Sequence, residues 1–494
     1  MDRFLLFEYL VKYIQNSNSY FGDDRINWLD ALVSPLYIGL LQTYQEANIK
    51  AGKKELVPHF YTTIKERWVD FIHNKKNLKL IKKVATTSSI TPSKDAILFI
   101  PAEPTHTKQF IPIWKILREK GIKYYILSNK PQIILDICKA GEKAILLNIP
   151  INEKLINNSE IDFLTKKVKS TELPESYQKR LIHLIKHFSA WASSLERELE
   201  KILISWKPAV VVVGYDITSE GRMSVHLCRK HNFPSACIMH GSISGEPLDS
   251  LHFVDRFIVH GVAAVDYLGK LGTPKEKLCV AGAPYLDEVN LKNSNPHQSI
   301  SKLLNLNIDE KYTLIALSGP GHSTSKSHFF KILSSIFELA AKSPKDKFLF
   351  KLHRKDKKIH YLPFLSNHPH KNVWIIQNNE NGFPTDFFDW LRGAKVMITG
   401  TSTVAMESML MKVPVITMDL MDEYKKVDFI EEGATFHVAD TVTLEKVYQA
   451  ILSNDNVMIN GTQSRADNFI KNYFYKPDGK SSERCAQAII DLLN

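Results

Sequence analysis

The chain has 494 residues, of which 44% are hydrophobic and 24% are charged, and its formal net charge at pH 7 is +11. This composition excludes a disordered chain and predicts a large globular protein with about two core domains. The basic charge favours anionic ligands such as nucleotides or lipid headgroups. Nucleic acid is not expected, because the sequence has no basic-aromatic RNA-binding signature and no zinc-finger spacing.

Cysteines and apolar segments indicate the compartment. The five cysteines are scattered and odd in number, which predicts a reducing environment and argues against a disulfide framework or a Cys-based zinc site. The N-terminus does not resemble a secretory signal, and the longest apolar candidate, residues 31–41, is too short to cross a bilayer. Basic runs at residues 50–54 and 75–83 favour contact with anionic lipids. We therefore expect a cytoplasmic protein with peripheral contact at the inner membrane face.

The first part of the chain is predicted to be helical and then to alternate between strands and helices. Residues 1–91 carry apolar residues at helical spacing and form a predicted helical extension. Residues 92–290 are predicted to form a Rossmann-like acceptor domain with a charged helical insertion at 150–206. The strands predicted in this domain are 95–101, 123–127, 144–148, 209–214, 235–239 and 256–259.

A polar segment rich in Asn and Ser, between residues 285 and 311, predicts a domain boundary. Residues 312–494 are predicted to form a second Rossmann-like domain that binds the nucleotide. The sequence therefore predicts an α/β fold of two doubly wound domains that face a cleft, with an N-terminal helical extension. The strands predicted in the second domain are 312–317, 347–352, 373–376, 395–398 and 413–418.

The most informative segment is TGTSTVAMESMLMKVPVITMD, residues 399–419. An apolar strand ends in a Thr/Gly/Ser cluster, a helix follows and a second strand returns, which is the pattern of a βαβ unit. The hydroxyls of Thr401, Ser402 and Thr403 lie where this helix begins, beside the backbone N–H groups of its first turn. This arrangement favours a phosphate, and Glu407 would reach a ribose hydroxyl. An ordinary N-cap followed by an exposed Glu is the alternative.

Two other loops of the second domain carry candidate donor-binding residues. After its first strand, Gly319 and Gly321 would let the backbone approach a ligand, and Ser323 with the two hydroxyl residues after it would supply donors. The segment is not a Walker A motif, because that motif requires glycine directly before its lysine. After the next strand, His353 and Arg354 would contact the same phosphate. A flexible turn and an ordinary surface histidine are the alternatives.

Three candidate general bases follow predicted strands of the first domain, namely His106, Asp216 and His240. Transfer of a group to a hydroxyl needs one side chain that takes the proton of that hydroxyl. We interpret Asp216 as this base and His240 as a residue that lines the cleft. A helix N-cap at Asp216 and a buried structural histidine are the alternatives. Glu220 and Arg222 lie in the same loop as Asp216 and would bind the acceptor or pair with each other.

Five motifs occur in a fixed order along the chain: HGSISGEPLDSLHFVDRFIVHG, GAPYLD, KLHRKD, TGTSTVAMES and DGKSSER. Together they resemble the GT-B-fold glycosyltransferases of bacterial surface-polysaccharide biosynthesis. Related patterns occur in CDP-glycerol glycerophosphotransferases and in UDP-N-acetylglucosamine 2-epimerases. The resemblance extends from about Asp95 to the C-terminus. The sequence departs from the family pattern at Arg354, where proline is usual, and at Ala283, where Asn or Ser is usual.

The resemblance implies a metal-independent, inverting glycosyltransferase with no cofactor. Its substrates would be a UDP- or CMP-linked sugar and a surface-glycan or lipid-linked acceptor, and its last helix would return to the first domain. The alternatives are a 2-epimerase, which needs the nucleotide site but no acceptor site, a glycerophosphotransferase, and a binding module without catalysis. The helical extension and the insertion favour the transferase, because an acceptor needs additional surface. The oligomeric state stays open.

Overall fold

The structure is a computed structural model in which the chain forms two compact units, Met1–Glu288 with Phe474–Asn494, and Val289–Tyr473. The sequence predicts a second domain of residues 312–494. In the structure, Phe474–Asn494 of this range belong to the first unit. Residues 51–93, which include the predicted basic run at 75–83, lie outside the described part. The structure describes residues 3–21, 28–50, 94–151, 158–239, 252–287, 300, 307, 310–320, 324–353, 356–377, 386–423 and 427–493.

The first unit contains a seven-stranded parallel sheet in the order β3-β2-β1-β4-β5-β6-β7. The strand order reverses between β1 and β4, which makes this pair the switch point of a doubly wound fold. The sequence predicted every strand except β7, which is only three residues long. The strands are β1 Ile97–Ile100, β2 Tyr124–Ser128, β3 Ile145–Leu146, β4 Val210–Val213, β5 Ser235–Ile238, β6 Arg256–Val259 and β7 Leu278–Val280.

The second unit contains a six-stranded parallel sheet in the order β10-β9-β8-β11-β12-β13. Its strand order reverses between β8 and β11, so it repeats the doubly wound pattern of the first unit. The prediction of two parallel α/β domains is confirmed. In this unit only the last strand, β13, was not predicted. The strands are β8 Tyr312–Ala316, β9 Phe348–Lys351, β10 Val373–Ile376, β11 Ala394–Thr399, β12 Val415–Met418 and β13 Phe436–Val438.

Helices connect the strands and cover the sheets. Among the helices in the described ranges, none is long and apolar enough to span a membrane. The helices are α1 Arg3–Phe21, α2 Trp28–Ala31, α3 Val33–Lys50, α4 Pro104–Glu119, α5 Pro131–Lys139, α6 Asn158–Lys169, α7 Glu175–Trp206, α8 Ser219–His231, α9 Val262–Lys270, α10 Lys326–Lys342, α11 Leu362–Ser366, α12 Phe387–Leu391, α13 Val404–Leu410, α14 Asp428–Glu431, α15 Thr441–Leu452, α16 Asn456–Phe474 and α17 Ser481–Ile490.

The sheet of the first unit separates two apolar cores. Leu98 and Ile100 of β1 belong to the core that also contains α1, α3 and α7. Ile97 and Phe99 belong to the core formed with α4 and α17. Successive strand residues point to opposite faces of a sheet, so a strand that is covered on both faces needs an unbroken apolar run. This requirement explains why the central strands were predictable from the sequence.

The described part of the N-terminal extension packs on the helical insertion rather than standing apart. The hydroxyl of Tyr13 in α1 donates to the carbonyl of Leu164 in α6, at 3.1 Å. In α3, Gly39 lies so close to α7 that an added Cβ would be 2.4 Å from Leu184 Cδ1. The extension and the insertion therefore form one helical layer on the first unit.

The last helix is fixed to the first unit by a buried carboxylate. Asp287 accepts hydrogen bonds from the backbone N–H groups of Ser481, at 3.1 Å, and Ser482, at 2.6 Å. Gly282 has a φ of 90°, and an added Cβ there would be 2.4 Å from Ser481 Oγ. Arg484 donates to the carbonyl of Ala281, at 2.8 Å. These contacts join the GAPYLD motif to the DGKSSER motif and place α17 on the first unit, as the resemblance implied.

We expect Asp287→Ala to loosen α17, because two N–H groups of its first turn would lose their acceptor. The expected cost is about 0.5–2 kcal/mol, typical of the loss of a helix cap. Hydrogen exchange of residues 481–490 measures it as a rise in exchange rate of roughly 2- to 30-fold. Asp491→Ala, at an exposed position beyond the end of the same helix, is the control and should change little. Equal protection in wild type and Asp287→Ala would show that Asp287 does not hold the helix.

Candidate functional site

The predicted site residues fall into two groups, one at the carboxyl ends of the strands in each unit. Four of them, His240, Gly321, Ser323 and Arg354, lie outside the part of the chain that the structure describes. The remaining residues are placed at the two switch points, where parallel sheets of this kind bind their ligands.

In the second unit, three loops begin side by side at the switch point. In the register of the sheet, Thr399 of β11 lies opposite Ala316 of β8, and β9 pairs with the other edge of β8. The Thr399 hydroxyl also donates to the carbonyl of Ala316, at 2.7 Å. Gly319, with a φ of 87° that favours glycine, follows β8, and His353 follows β9. The sheet therefore brings Gly319, His353 and the loop after β11 to one edge.

The loop after β11 leads into α13, and its three hydroxyl residues precede the first turn of that helix. Thr403 occupies the N-cap position, but its side chain makes no capping hydrogen bond in the described structure. Thr401 and Ser402 are half-buried, whereas Thr403 is exposed. Glu407 is half-buried in the helix that follows. The ordinary N-cap considered from the sequence is thus not formed by Thr403.

A carboxylate that the sequence analysis missed occupies the start of α10. Glu423 accepts hydrogen bonds from the Thr324 hydroxyl, at 2.9 Å, and from the backbone N–H and the hydroxyl of Ser325. Burial acts to raise the pKa of Glu423, but these hydrogen bonds and one from His328 hold it below its ordinary value. The buried His328 also accepts the N–H of Leu420, at 2.8 Å. Thr324 and Ser325 therefore bind an internal anion, contrary to the ligand role expected for the hydroxyl residues after Ser323.

A second buried carboxylate orders the loop that contains His353. The backbone N–H of Asp356 donates to the carbonyl of His353, at 2.8 Å. The Asp356 side chain accepts hydrogen bonds from the Lys357 N–H, at 2.8 Å, from His360 Nδ1, at 2.7 Å, and from the Tyr361 hydroxyl, at 2.5 Å. The position of His353 thus depends on Asp356, the last residue of the KLHRKD motif, for which no role was predicted.

In the first unit, His106 sits at the switch point in a capping role. It is buried, and its Nδ1 accepts the backbone N–H groups of Ala102, at 3.1 Å, and Glu103, at 3.2 Å. Its ring lies against Gly214, at the end of β4, where an added Cβ would be 2.1 Å from Nδ1. The structure therefore shows His106 in a capping contact, whereas the buried structural histidine considered from the sequence concerned His240, which lies outside the described part.

Asp216 is fully buried, and both of its carboxylate oxygens accept hydrogen bonds. His252 Nδ1 donates to one oxygen, at 2.5 Å, and the Phe253 N–H donates to the other, at 2.8 Å. Burial acts to raise the pKa of Asp216, but the attraction of His252 and Arg222 holds it below its ordinary value. The cap of α8 is Thr218, which accepts the Gly221 N–H at 3.2 Å, so Asp216 is not the N-cap considered from the sequence.

Glu220 and Arg222 do not pair with each other. Glu220 lies 3.3 Å from the ammonium group of Lys130. Arg222 is buried, with its guanidinium 4.5 Å from the Phe253 ring and its Nε 3.9 Å from Asp30 Oδ2. Because Asp30 belongs to α2, the N-terminal extension supplies a charge to the surroundings of Asp216.

Within the described ranges, no group of three or more His, Cys, Asp or Glu side chains could hold a metal ion. The described side chains at the two switch points carry hydroxyl, imidazole, ammonium and carboxylate groups. These groups suit recognition of a phosphorylated, hydroxyl-rich ligand.

Comparisons with known proteins agree with this fold. Residues 252–490 match the family model described as UDP-N-acetylglucosamine 2-epimerase. The solved UDP-GlcNAc 2-epimerase from Neisseria meningitidis bound to UDP-GlcNAc is 15% identical, with a TM-score of 0.56 over 80% of this chain and 100% of that chain. The UDP-GlcNAc 2-epimerase from Methanocaldococcus jannaschii is 19% identical, with a TM-score of 0.55 over 80% and 99%. No curated protein matches the chain. These similarities show a shared fold of two Rossmann-like domains.

We expect Gly214→Ala to displace His106, because the added methyl group would overlap the base of the imidazole ring. The expected loss of unfolding free energy is about 1–3 kcal/mol, typical of overpacking. Thermal unfolding measures it, and hydrogen exchange at residues 102–103 reports the loss of the His106 acceptor. The control is Gly269→Ala, where the nearest atom to an added Cβ is 3.7 Å away. If both variants kept wild-type stability and protection, the close packing of His106 on Gly214 would be refuted.

Proposed function

We propose that the protein is a glycosyltransferase that moves a sugar from a nucleotide sugar to a surface-glycan or lipid-linked acceptor at the cytoplasmic membrane face. The observation that carries this proposal is the switch point of the second unit, where Gly319, His353 and the hydroxyls of Thr401, Ser402 and Thr403 share one edge of the sheet. The family-model match to a nucleotide-sugar enzyme over residues 252–490 supports a nucleotide sugar as the ligand.

In this proposal the three hydroxyls and His353 bind the phosphates, and Glu407 binds a ribose hydroxyl. Gly319 allows the backbone to approach the ligand closely. Gly321, Ser323 and Arg354 keep the donor-binding roles proposed from the sequence. Hydrogen bonds to the departing phosphate stabilise the charge that develops as the bond from the anomeric carbon to the phosphate oxygen breaks.

The acceptor half of the reaction belongs to the first unit in this proposal. The acceptor oxygen attacks the anomeric carbon, the nucleotide leaves with its phosphate, and a base takes the acceptor proton. Asp216 has both oxygens engaged, so we assign it a positioning role through His252 rather than direct proton transfer. His106 is similarly engaged as a cap. Of the three candidate bases, we therefore assign the role of proton acceptor to His240, which the sequence analysis interpreted as a residue lining the cleft, in place of Asp216.

A 2-epimerase is the second candidate, and the family-model match favours it specifically. Both activities would use the same nucleotide site in the second unit. The transferase is favoured by the helical layer formed by the extension and insertion, which enlarges the first unit. An isomerase that acts on one substrate has no need of such a surface.

We expect Ser402→Ala and His353→Ala each to weaken binding of a nucleotide sugar such as UDP-GlcNAc. The loss should be about 0.5–2 kcal/mol per hydrogen bond, or roughly 2- to 30-fold in the dissociation constant. Isothermal titration calorimetry measures it. Ser453→Ala and His437→Ala remove the same groups from exposed positions of the second unit and should bind like wild type. Unchanged affinity in both site variants would refute the proposed donor site.

We expect Asp216→Asn to lower turnover by about 10²–10⁴-fold while nucleotide-sugar affinity stays within a factor of two, because Asp216 positions His252 in the first unit and is not part of the proposed donor site. Initial rates and calorimetry on the same samples separate the two effects. Asp255→Asn is the matched control, since Asp255 also accepts two hydrogen bonds, both from Ser235. His240→Ala should reproduce the loss of turnover. A fully active Asp216→Asn enzyme would remove Asp216 from the mechanism.

The same assay without acceptor separates the two candidate functions. A transferase leaves UDP-GlcNAc unchanged in configuration, and NMR of the sugar detects no new isomer. Appearance of the 2-epimer with wild-type protein would replace the transferase with the isomerase. If the Asp216→Asn variant then failed to form the 2-epimer, Asp216 would have its positioning role in the isomerase reaction.

A further inference from the structure

An exposed apolar pair lies on the turn that follows β9. Ile359 is 66% exposed and Leu362 is 50% exposed. Ile359 belongs to the 3₁₀ turn Lys358–His360, and Leu362 begins α11 three residues later. Side chains three residues apart lie on the same side of a 3₁₀ turn and of an α-helix. The pair therefore presents one small apolar surface to the outside of the unit.

The other side of this turn is firmly packed. Tyr361 is buried, and its ring lies 6.0 Å from Phe329 and 5.5 Å from Phe350, measured between ring centroids. Phe364 stacks on Phe337 at 5.5 Å. Apolar residues beside the exposed pair thus reach the core of the unit, while the pair itself points away from it.

The sequence around the pair is strongly basic. Residues 351–371 contain six Lys or Arg and a single acidic residue, Asp356. Asp356 is buried and accepts hydrogen bonds from the backbone N–H of Lys357, from His360 and from the Tyr361 hydroxyl, so its carboxylate does not face the solvent. Lys357 is exposed, and Lys358, the next residue in the chain, is half-buried. Around the apolar pair, the surface that this segment offers is therefore positive.

We propose that this turn, which we call the basic tip and define as Lys357, Lys358, Ile359 and Leu362, docks on an anionic lipid membrane. Lysines attract anionic headgroups, and apolar side chains beside them enter the boundary between headgroups and acyl chains. A nucleic acid or an acidic polysaccharide would use the lysines but would leave the apolar pair in water. The combination of charges and exposed apolar side chains therefore favours a membrane.

The basic tip belongs to the loop that begins with His353. Docking of the tip would therefore bring this loop of the second unit to the membrane. The backbone bond between Asp356 and His353, at 2.8 Å, links the basic tip directly to the proposed donor site. The biological purpose of this docking, delivery of a sugar to a lipid-linked acceptor, rests on the proposed function. Membrane binding itself is measured without any nucleotide sugar.

The experiment is co-sedimentation of the full chain with vesicles of phosphatidylcholine alone or mixed with phosphatidylglycerol. We expect binding only to the anionic vesicles, and binding that weakens as salt rises from 0.05 to 0.5 M. The double variant Lys357→Gln/Lys358→Gln should lower the affinity for anionic vesicles about 30-fold, because each lysine contributes a factor of about five and the two factors multiply. Ile359→Ser with Leu362→Ser should lower it at least tenfold.

Matched controls come from the same unit. Val442, which is 77% exposed, and the exposed Lys446 lie on α15, so Val442→Ser and Lys446→Gln remove the same kinds of groups elsewhere. Both controls should bind vesicles like wild type, and thermal unfolding should be unchanged in all variants. UDP-GlcNAc affinity, measured separately, should also be unchanged in the variants of the basic tip. A protein that failed to bind the nucleotide sugar yet bound vesicles through the tip would refute only the proposed function.

Three results would overturn the proposal. They are equal binding to neutral and anionic vesicles, no loss of binding in the Ile359→Ser/Leu362→Ser variant, and binding to a polyanion such as heparin without any binding to vesicles. The last of these would assign the lysines to a polyanionic partner instead.

Discussion

The structure depends on one constraint, which is the reversal of strand order in two parallel sheets. In each sheet the first three strands are added from the centre towards one edge. The chain then crosses back to the centre, and the later strands are added towards the other edge. The loops that follow the two central strands then begin side by side and diverge towards opposite faces of the sheet. His106 meets Gly214 at one switch point, and the loops of Gly319 and Thr401 start together at the other. Residues far apart in sequence thus share a site because of strand order alone.

Buried charge is the second organising feature, and the first unit concentrates it around Asp216. His252, Arg222 and the Phe253 N–H offset the cost of burying this carboxylate. Because the pKa of Asp216 is lowered in the folded protein, its ionisation stabilises the fold above the ordinary pKa of an aspartate. That stabilisation is lost as the pH falls through the lower, folded-state pKa. Asp30 adds a further charge from the N-terminal extension, so the extension contributes to the electrostatics of the site.

The sequence predicted the sheets because their strands are buried on both faces and read as apolar runs. It missed β7 and β13, although it predicted the two-residue β3, which lies in the apolar run of residues 144–147, so strand length alone does not account for the missed strands. The loop of Thr401–Thr403 was predictable, since a strand, a hydroxyl cluster and a helix follow one another locally. Two other contacts were not predictable. The partner His252 lies 36 residues from Asp216, and the carboxylate of Glu423, which binds Ser325, lies 98 residues from it. Local patterns carry no information about such pairs, which form only when loops from different strands meet.

The feature that distinguishes the two candidate reactions must be sought in the first unit. The family-model match spans residues 252–490 and therefore lies mainly over the second unit, whose proposed nucleotide site would serve a transferase and an epimerase equally. Outside the match lie residues 94–239 of the first unit, including His106, Gly214 and Asp216, and the helical layer that covers this unit. A transferase must bind a second substrate and an epimerase need not. The choice between the reactions is therefore a property of the first unit, and variation there can change the reaction while the nucleotide site is kept.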